Sequence, residues 1–315
     1  MSDLAVLVTC PPMQRTAADW RGRFDALGIE VGMPEVVQQL SAATLLTILP
    51  GYDGMIAGDD PVTGEVLERA TRLRVVSKWG IGLDSIDMAT AERLGIRVTN
   101  TPDTFGEEVA DVAIGYMVLL ARGLHRIDQS VRAGTWAKPQ GISLSGRTLG
   151  IVGLGSIGRA VARRGIAMGM RIIGHEIFPP SADRAAELGV RVVDLDTVIA
   201  DSDLISLHCP LTAQNRHMID AARLARMRPG SYLVNTARGP LIDEASLIEA
   251  LRSGHLAGAA LDVFEEEPLS ASSPLVQMEN VILGSHNASN TREAVARVNE
   301  LAIDNVLKGM TEVTR

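Results

Sequence analysis

The stretch Thr148-Leu149-Gly150-Ile151-Val152-Gly153-Leu154-Gly155-Ser156-Ile157-Gly158 decides how this chain is read. A short strand pattern ending at Val152 runs straight into three glycines spaced G-x-G-x-x-G, and an amphipathic stretch from Ile157 to Ala167 follows. Alone, such a triplet is weak, because tight turns everywhere use glycine. Between a strand and a helix it is much stronger. The first glycine permits the tight turn, the second lets the backbone approach a pyrophosphate, and the third lets helix and strand pack closely. The helix start adds unpaired amides and a positive dipole end, which makes Gly153, Gly155, Ser156, Ile157 and Gly158 candidate cofactor contacts. Glu176 stands eighteen residues beyond Gly158 and closes the next apolar run, Met170 to Ile173. A carboxylate there hydrogen-bonds a ribose hydroxyl and repels a 2′-phosphate, so NAD is expected rather than NADP. No Lys or Arg follows before Arg184 to reverse that sign. The plainer reading of Glu176 is a surface turn residue.

The same alternation extends outward from this motif. Leu4 to Val8, Gly54 to Ala57, Leu73 to Val76 and Ile96 to Val98 read as strands of a first unit. Leu149 to Val152, Met170 to Ile173, Asp203 to Leu207, Ser231 to Val234, Ala257 to Leu261 and Asn280 to Leu283 form a second series. Runs that are apolar throughout, rather than alternating, fit parallel strands covered on both faces. With helical stretches between them they predict βαβ units, and hence doubly wound parallel sheets. Glu107 to Arg122 is apolar nearly all round, which predicts a helix at a domain or subunit contact. A second long helix is expected over Thr291 to Leu307, and 133–146 reads as irregular.

Composition narrows the function classes. The 315 residues are 46% hydrophobic and 22% charged, ordinary globular values that exclude a disordered or fibrous chain. Thirty Lys and Arg against 38 Asp and Glu leave a net charge of −8, which opposes a sequence-independent hold on nucleic acid or anionic lipid. Arg159, Arg163 and Arg164 on the helix after the glycine turn are read as a solvated face. Two distant cysteines, Cys10 and Cys209, make a disulfide scaffold or a structural zinc site poor readings, and no metal is expected. Met1-Ser2-Asp3-Leu4 has no basic leader, and no apolar run approaches a membrane span, so a cytoplasmic protein with no membrane partner is expected.

In open α/β sheets ligands lie beyond the carboxyl ends of the strands. The residues that follow the second series of strands form a short list: His208-Cys209-Pro210, Asn235-Thr236-Ala237-Arg238-Gly239, Asp262 through Glu267-Pro268, and Gly284-Ser285-His286. An arginine, a carboxylate and a histidine on one rim suit hydride chemistry on a hydroxy acid. Oxidising a secondary alcohol needs a base for the hydroxyl proton, and histidine has the suitable pKa. A carboxylate orients the imidazole and stabilises its protonated form, while a guanidinium grips the substrate carboxylate. A lone histidine is more often satisfied structure than catalyst. Three such groups on one predicted rim weigh against that bland reading. His125, His175, His217 and His255 lack this placement and are read as structural.

Taken in order, Gly153–Gly158 with Glu176, Leu207-His208-Cys209-Pro210-Leu211-Thr212, Asn235-Thr236-Ala237-Arg238-Gly239, Leu261-Asp262-Val263-Phe264-Glu265-Glu266-Glu267-Pro268 and Ser285-His286-Asn287-Ala288 resemble the D-isomer-specific 2-hydroxyacid dehydrogenases, in particular their phosphoglycerate dehydrogenase-like branch. The resemblance covers essentially the whole chain. It implies that Arg238 binds substrate, that Glu267 pairs with a catalytic His286, and that Asp262 contacts the nicotinamide carboxamide. His208, Cys209, Pro210, Thr236 and Ala237 then fall among the cofactor contacts. Lys78-Trp79-Gly80-Ile81-Gly82 resembles the family's backbone cradle for the substrate carboxylate. The implied layout is discontinuous: residues 1–101 plus 286–315 form a flavodoxin-like substrate domain, and an NAD-binding Rossmann domain, 102–285, is inserted into it. The expected assembly is a homodimer.

The chain departs from the family pattern at Ser85, where asparagine is common, at Gly284-Ser285, where Thr-Pro is common, and at Gly58-Asp59-Asp60, where phosphoglycerate enzymes carry an arginine and a serine. The last departure counts against phosphoglycerate. Lys78, at the end of a predicted strand, is expected to meet a second anionic group on the substrate; the competing reading pairs it with Asp59 or Asp60. The expected function is an NAD-dependent interconversion of a 2-hydroxy acid and a 2-oxo acid. The alternative is an NAD-sensing, non-catalytic corepressor of the same fold. A formate dehydrogenase fits less well, since that branch has glutamine where Glu267 stands.

Overall fold

The computed structural model describes residues 4–177 and 182–312. Met1-Ser2-Asp3, the last three residues of the expected substrate domain and the side chain of Arg184 lie outside the described residues. The chain divides into two compact units, Met1–Thr104 with Asn290–Arg315, and Phe105–Ser289.

The first unit holds β1 (Ala5–Val8), β2 (Glu30–Gly32), β3 (Gly54–Ala57), β4 (Val75–Lys78) and β5 (Arg97–Thr99), all parallel in the order β2-β1-β3-β4-β5. That is the flavodoxin-like order, with its topological switch between β1 and β3. Strands β1, β3 and β4 are buried at every position, as the unbroken apolar runs of β1 and β3 require; β4 buries Ser77 and Lys78 as well. Local signals set the helices between them: Asp87 accepts the Thr90 amide to start Met88–Leu94, and Gly95, at φ +68°, ends it in the left-handed region. The long terminal helix Arg292–Glu312 packs on β3 and β4. It comes so close that a β-carbon on Gly54 would stand 2.8 Å from Val306. Pairing of Val8 with Ile56, Ala57 with Lys78, and Ser77 with Thr99 aligns the carboxyl ends, so Thr9, Gly58, Lys78 and Asn100 share one edge. Strand β4 lies two residues later than the apolar run Leu73 to Val76 suggests. Lys78 is therefore its last member.

The second unit holds β6 (Thr148–Val152), β7 (Arg171–His175), β8 (Val190–Val192), β9 (Leu204–Leu207), β10 (Ser231–Asn235), β11 (Leu256–Leu261) and β12 (Val281–Leu283). All are parallel, in the order β12-β11-β10-β9-β6-β7-β8. The chain leaves β6 in one direction through β7 and β8, then returns to lay β9 on the other side. That reversal is the switch point where such sheets take ligands. The register lines up His175, Val152, Leu207, Asn235, Leu261 and Leu283 across six strands. The next residue on each strand is Glu176, Gly153, His208, Thr236, Asp262 or Gly284.

Helix Gly106–Arg122 buries Val109, Ala110, Ala113, Met117, Leu120 and Ala121, a three-to-four spacing that makes one face. This face packs on helix Ser156–Ala167 and on β10 and β11. The apolar surface that suggested a domain or subunit contact is thus largely used inside the second unit. Arg163 and Arg164 reach back to Glu107, and Arg164 also to Asp111, which fits a solvated, ion-paired face. The boundaries fall at 104/105 and 289/290, beside the expected 101/102 and 285/286. The shift matters for His286: its amide donates to Asp262 O at 2.7 Å, and the Ala288 amide to the Asp262 carboxylate at 2.9 Å, which ties this segment to β11.

Candidate active site

The glycine turn is shaped by its neighbours. Gly153 has φ +96°, and a β-carbon there would come within 2.6 Å of the Cys209 amide nitrogen, so the turns after β6 and β9 meet backbone to backbone. Gly158 faces the Gly153 carbonyl with no room for a side chain. Gly155, by contrast, has nothing within 4 Å of its notional β-carbon. Helix Ser156–Ala167 starts at this open spot, and its first-turn amides have no intrahelical partner. Glu176 Oε2 accepts the Leu154 amide at 2.8 Å, and Oε1 accepts the Ile177 amide at 2.8 Å. A cramped turn, an open approach, free amides and an acid at the tip of the neighbouring strand together fit a dinucleotide.

His208, just past β9, receives or donates a bond with Ser206 Oγ at 2.8 Å through Nε2, and lies 3.4 Å from Thr236 Oγ1 through Nδ1. Desolvation pulls this imidazole down to about 3, so it is neutral at working pH. Burial pushes the neighbouring Cys209 thiol up to about 11, and Cys209 sits 3.9 Å from Met218 Sδ as a packed, unreactive sulfur. Pro210 is exposed beside it.

The loops that carry the arginine, the carboxylate and the histidine are joined through one connected set of contacts, while the Arg238 guanidinium itself donates to Ala237 O at 2.8 Å. Buried Asn235 folds the loop that carries Arg238: its Nδ2 donates to Arg238 O at 2.8 Å, and its Oδ1 accepts the Ala237 amide at 3.0 Å. Gly239 then packs so tightly on the Phe264–Glu265 backbone that no β-carbon fits. The Phe264 amide donates to Glu267 Oε1 at 3.0 Å, and Glu267 Oε2 stands 2.7 Å from His286 Nδ1. His286 has φ +53°, a left-handed conformation that is strained for a side-chain-bearing residue. Strain of this kind is held by the surrounding bonds and is concentrated at functional sites.

Asp262 supplies those bonds. Its carboxylate accepts the Asn287 amide at 3.2 Å, the Ala288 amide at 2.9 Å and the Tyr116 hydroxyl at 3.4 Å. It is buried, and in this structure its oxygens hold the His286 loop. The sequence did not single out Tyr116, because one tyrosine in an apolar helix carries no signal of a distant carboxylate.

In the first unit, two expected substrate contacts have partners within the protein. The Gly80 amide donates to Thr101 Oγ1 at 3.0 Å; Thr101, on the next strand's loop, has no motif to announce it. The amides of Ile81 and Gly82 donate to no protein acceptor among the described residues. Lys78 is buried, and its Nζ donates to Asp59 Oδ1 at 2.9 Å and to Trp79 O at 3.3 Å. The cation expected to meet a second anion is therefore already neutralised. Among the described residues no group of His, Cys, Asp or Glu is poised to hold a metal, and no helix is long and apolar enough to cross a membrane.

Residues 114–288 match the family described as D-isomer specific 2-hydroxyacid dehydrogenase, NAD binding domain. The glyoxylate reductase of Korarchaeum cryptofilum is 43% identical over 254 residues, 79% of this chain and 76% of that protein. The D-3-phosphoglycerate dehydrogenase of Archaeoglobus fulgidus is 35% identical over 304 residues; the match takes in 96% of this chain but only 56% of the longer protein. The solved glyoxylate reductase of Paecilomyes thermophila superposes with a TM-score of 0.85 at 30% identity, covering 99% of this chain and 97% of that one. With its two parallel-sheet units, its glycine turn and these matches, the chain belongs to the D-isomer-specific 2-hydroxyacid dehydrogenases, NAD-dependent oxidoreductases acting on 2-hydroxy acids.

Proposed function

We propose that this enzyme reduces small 2-oxo acids such as glyoxylate and hydroxypyruvate to the corresponding 2-hydroxy acids, with the D configuration where C2 becomes a stereocentre, and that His286, Glu267 and Arg238 do the work at the substrate. The observation that carries this is the 2.7 Å contact between His286 Nδ1 and Glu267 Oε2, because it fixes the ring and sets beside it a carboxylate that favours the charged imidazole. When bound, NADH supplies the hydride to the carbonyl carbon. His286 Nε2 gives its proton to the carbonyl oxygen as negative charge develops there, and in the reverse direction takes it back. Glu267 orients the ring and favours its charged form. The Arg238 guanidinium binds the substrate carboxylate, a role that the resemblance also gives to the backbone amides of Ile81 and Gly82. Gly153, Gly155, Ser156, Ile157 and Gly158 hold the cofactor pyrophosphate and Glu176 its ribose, with His208, Cys209, Pro210, Thr236, Ala237 and Asp262 along the rest.

The same proposal includes a cytoplasmic homodimer. Its support is an apolar surface without cover: Leu124 and Val131 on helix Leu124–Arg132 are 40% and 46% exposed, and Trp136 is 76% exposed. The deciding experiment is turnover of NADH with glyoxylate, hydroxypyruvate and pyruvate by the wild type and by His286→Ala. Oxidation of NADH that depends on both the 2-oxo acid and His286 is the expected result; tight NADH binding with no turnover of any 2-oxo acid would replace this reading with a cofactor-sensing one.

A further inference from the structure

The carboxyl edge of the first sheet carries a buried set of charges. Lys78 Nζ lies under the Trp79-Gly80 turn, 3.6 Å from where a Gly80 β-carbon would stand, and is held by Asp59 at 2.9 Å. The Lys78 side chain is only 4% exposed, while that of Asp59 is 31% exposed. Next to Asp59, Asp60 is fully buried and built into the frame: it accepts the Thr9 hydroxyl, the Leu40 amide at 2.7 Å and the Gly58 amide at 3.0 Å. These bonds fix the loop after β3 against the end of β1, and so fix where Asp59 stands. Burial raises the Asp60 carboxyl above its ordinary range, partly offset first by its hydrogen bonds from Thr9 and Leu40 and then by the charge of Lys78. Cys10, also buried here, has its thiol pushed up to about 12 and contributes no charge. One cation thus faces two carboxyl groups, under the turn that leads to Ile81 and Gly82.

We propose that Asp59 is a specificity-determining residue: by holding Lys78 it cancels the cation that lies under the Trp79-Gly80 turn, and so confines turnover to 2-oxo acids with a single negative charge. This rests on the reductase reading and on the Ile81–Gly82 cradle given above. A second carboxylate or a phosphate on the substrate would meet the Asp59 carboxylate and find Lys78 already engaged. An isosteric amide at position 59 removes the repulsion and releases the ammonium, with Asp60 still nearby to balance it.

The test compares kcat/KM with NADH for two monoanions, glyoxylate and hydroxypyruvate, against two polyanions, oxaloacetate and phosphohydroxypyruvate. The proteins are the wild type, Asp59→Asn and the double variant Asp59→Asn/Lys78→Met; the double variant replaces the ion pair with neutral groups, a change that buried pairs often tolerate. The expected result is a wild type that favours the monoanions, a preference that falls about tenfold or more in Asp59→Asn, and its recovery in the double variant. A tenfold change corresponds to about 1.4 kcal/mol. Three results overturn the inference alone: a wild type that prefers the polyanions, a ratio unmoved by Asp59→Asn, or a gain that survives loss of Lys78. Absence of turnover with every 2-oxo acid overturns the reductase reading, and this inference with it.

Discussion

Glu176 and Leu154 are bonded across the mouth of the second sheet: the carboxylate at the tip of β7 accepts the amide at the centre of the glycine turn at 2.8 Å. One side chain therefore fixes the turn and places a negative charge where an adenosine ribose is bound in such folds. The expected outcome is a strong preference for NADH over NADPH. Glu176→Gln keeps an acceptor for the turn and removes the charge, so the ratio of the two kcat/KM values should fall by about tenfold, roughly 1.4 kcal/mol. Equal efficiency with both cofactors in the wild type would remove the role given to this carboxylate.

The dyad gives a second expectation. His286→Ala should lower kcat by about 10²–10⁴, the usual worth of a positioned acid–base group, with NADH affinity nearly unchanged by fluorescence titration. Glu267→Gln removes the anion that favours the imidazolium. In the oxidation direction the histidine must be unprotonated, so the acid limb of the kcat/KM profile should move to lower pH. In the reduction direction it must be protonated, so the alkaline limb should move the same way. Profiles that superpose with wild type would show that Glu267 does not act on this proton.

Most of the second unit was legible because its strands end in register. Once Val152, Leu207, Asn235 and Leu261 are aligned, the following residues form one edge, and reading the residues after each predicted strand amounts to reading that edge. Two of the four short outer strands were not legible: Glu30–Gly32 and Val190–Val192 are three residues each, and their pairing comes from neighbours rather than from a pattern of their own. The sequence left open whether Lys78 meets Asp59 or a substrate anion for a related reason. An apolar run marks where burial is dense, and β4 continues beyond it through Ser77 and Lys78, both buried, because Ala57 pairs with Lys78 and Asp59 meets the charge. Which donors are already used, as at Gly80, depends on a partner more than twenty residues away. No local motif records it.

Assembly is checked by mass. The uncovered apolar residues on and after helix Leu124–Arg132 predict a dimer that survives dilution to micromolar concentration in light scattering or sedimentation. Trp136→Ser should weaken it, and a shift of tryptophan emission to longer wavelength on dilution should accompany dissociation in the wild type. A monomer at that concentration, or a dimer untouched by Trp136→Ser, would remove this surface from the interface.

His208 sets an acid limit on stability. Its folded-state pKa is held at about 3 by desolvation, against an unfolded value of about 6.5. Above pH 6.5 both states carry a neutral ring, and the group contributes no pH dependence. Between the two values the unfolded chain binds a proton that the folded chain refuses, so folding stability falls as pH drops through this window. His208→Gln keeps a donor and an acceptor for Ser206 and Thr236 but has no proton to take up. Thermal unfolding at pH 7.5 and at pH 5.5 should therefore show a smaller loss of Tm in the variant than in the wild type. If the two lose the same amount, the acid sensitivity arises elsewhere, and the neutral imidazole at the end of β9 does not limit the fold.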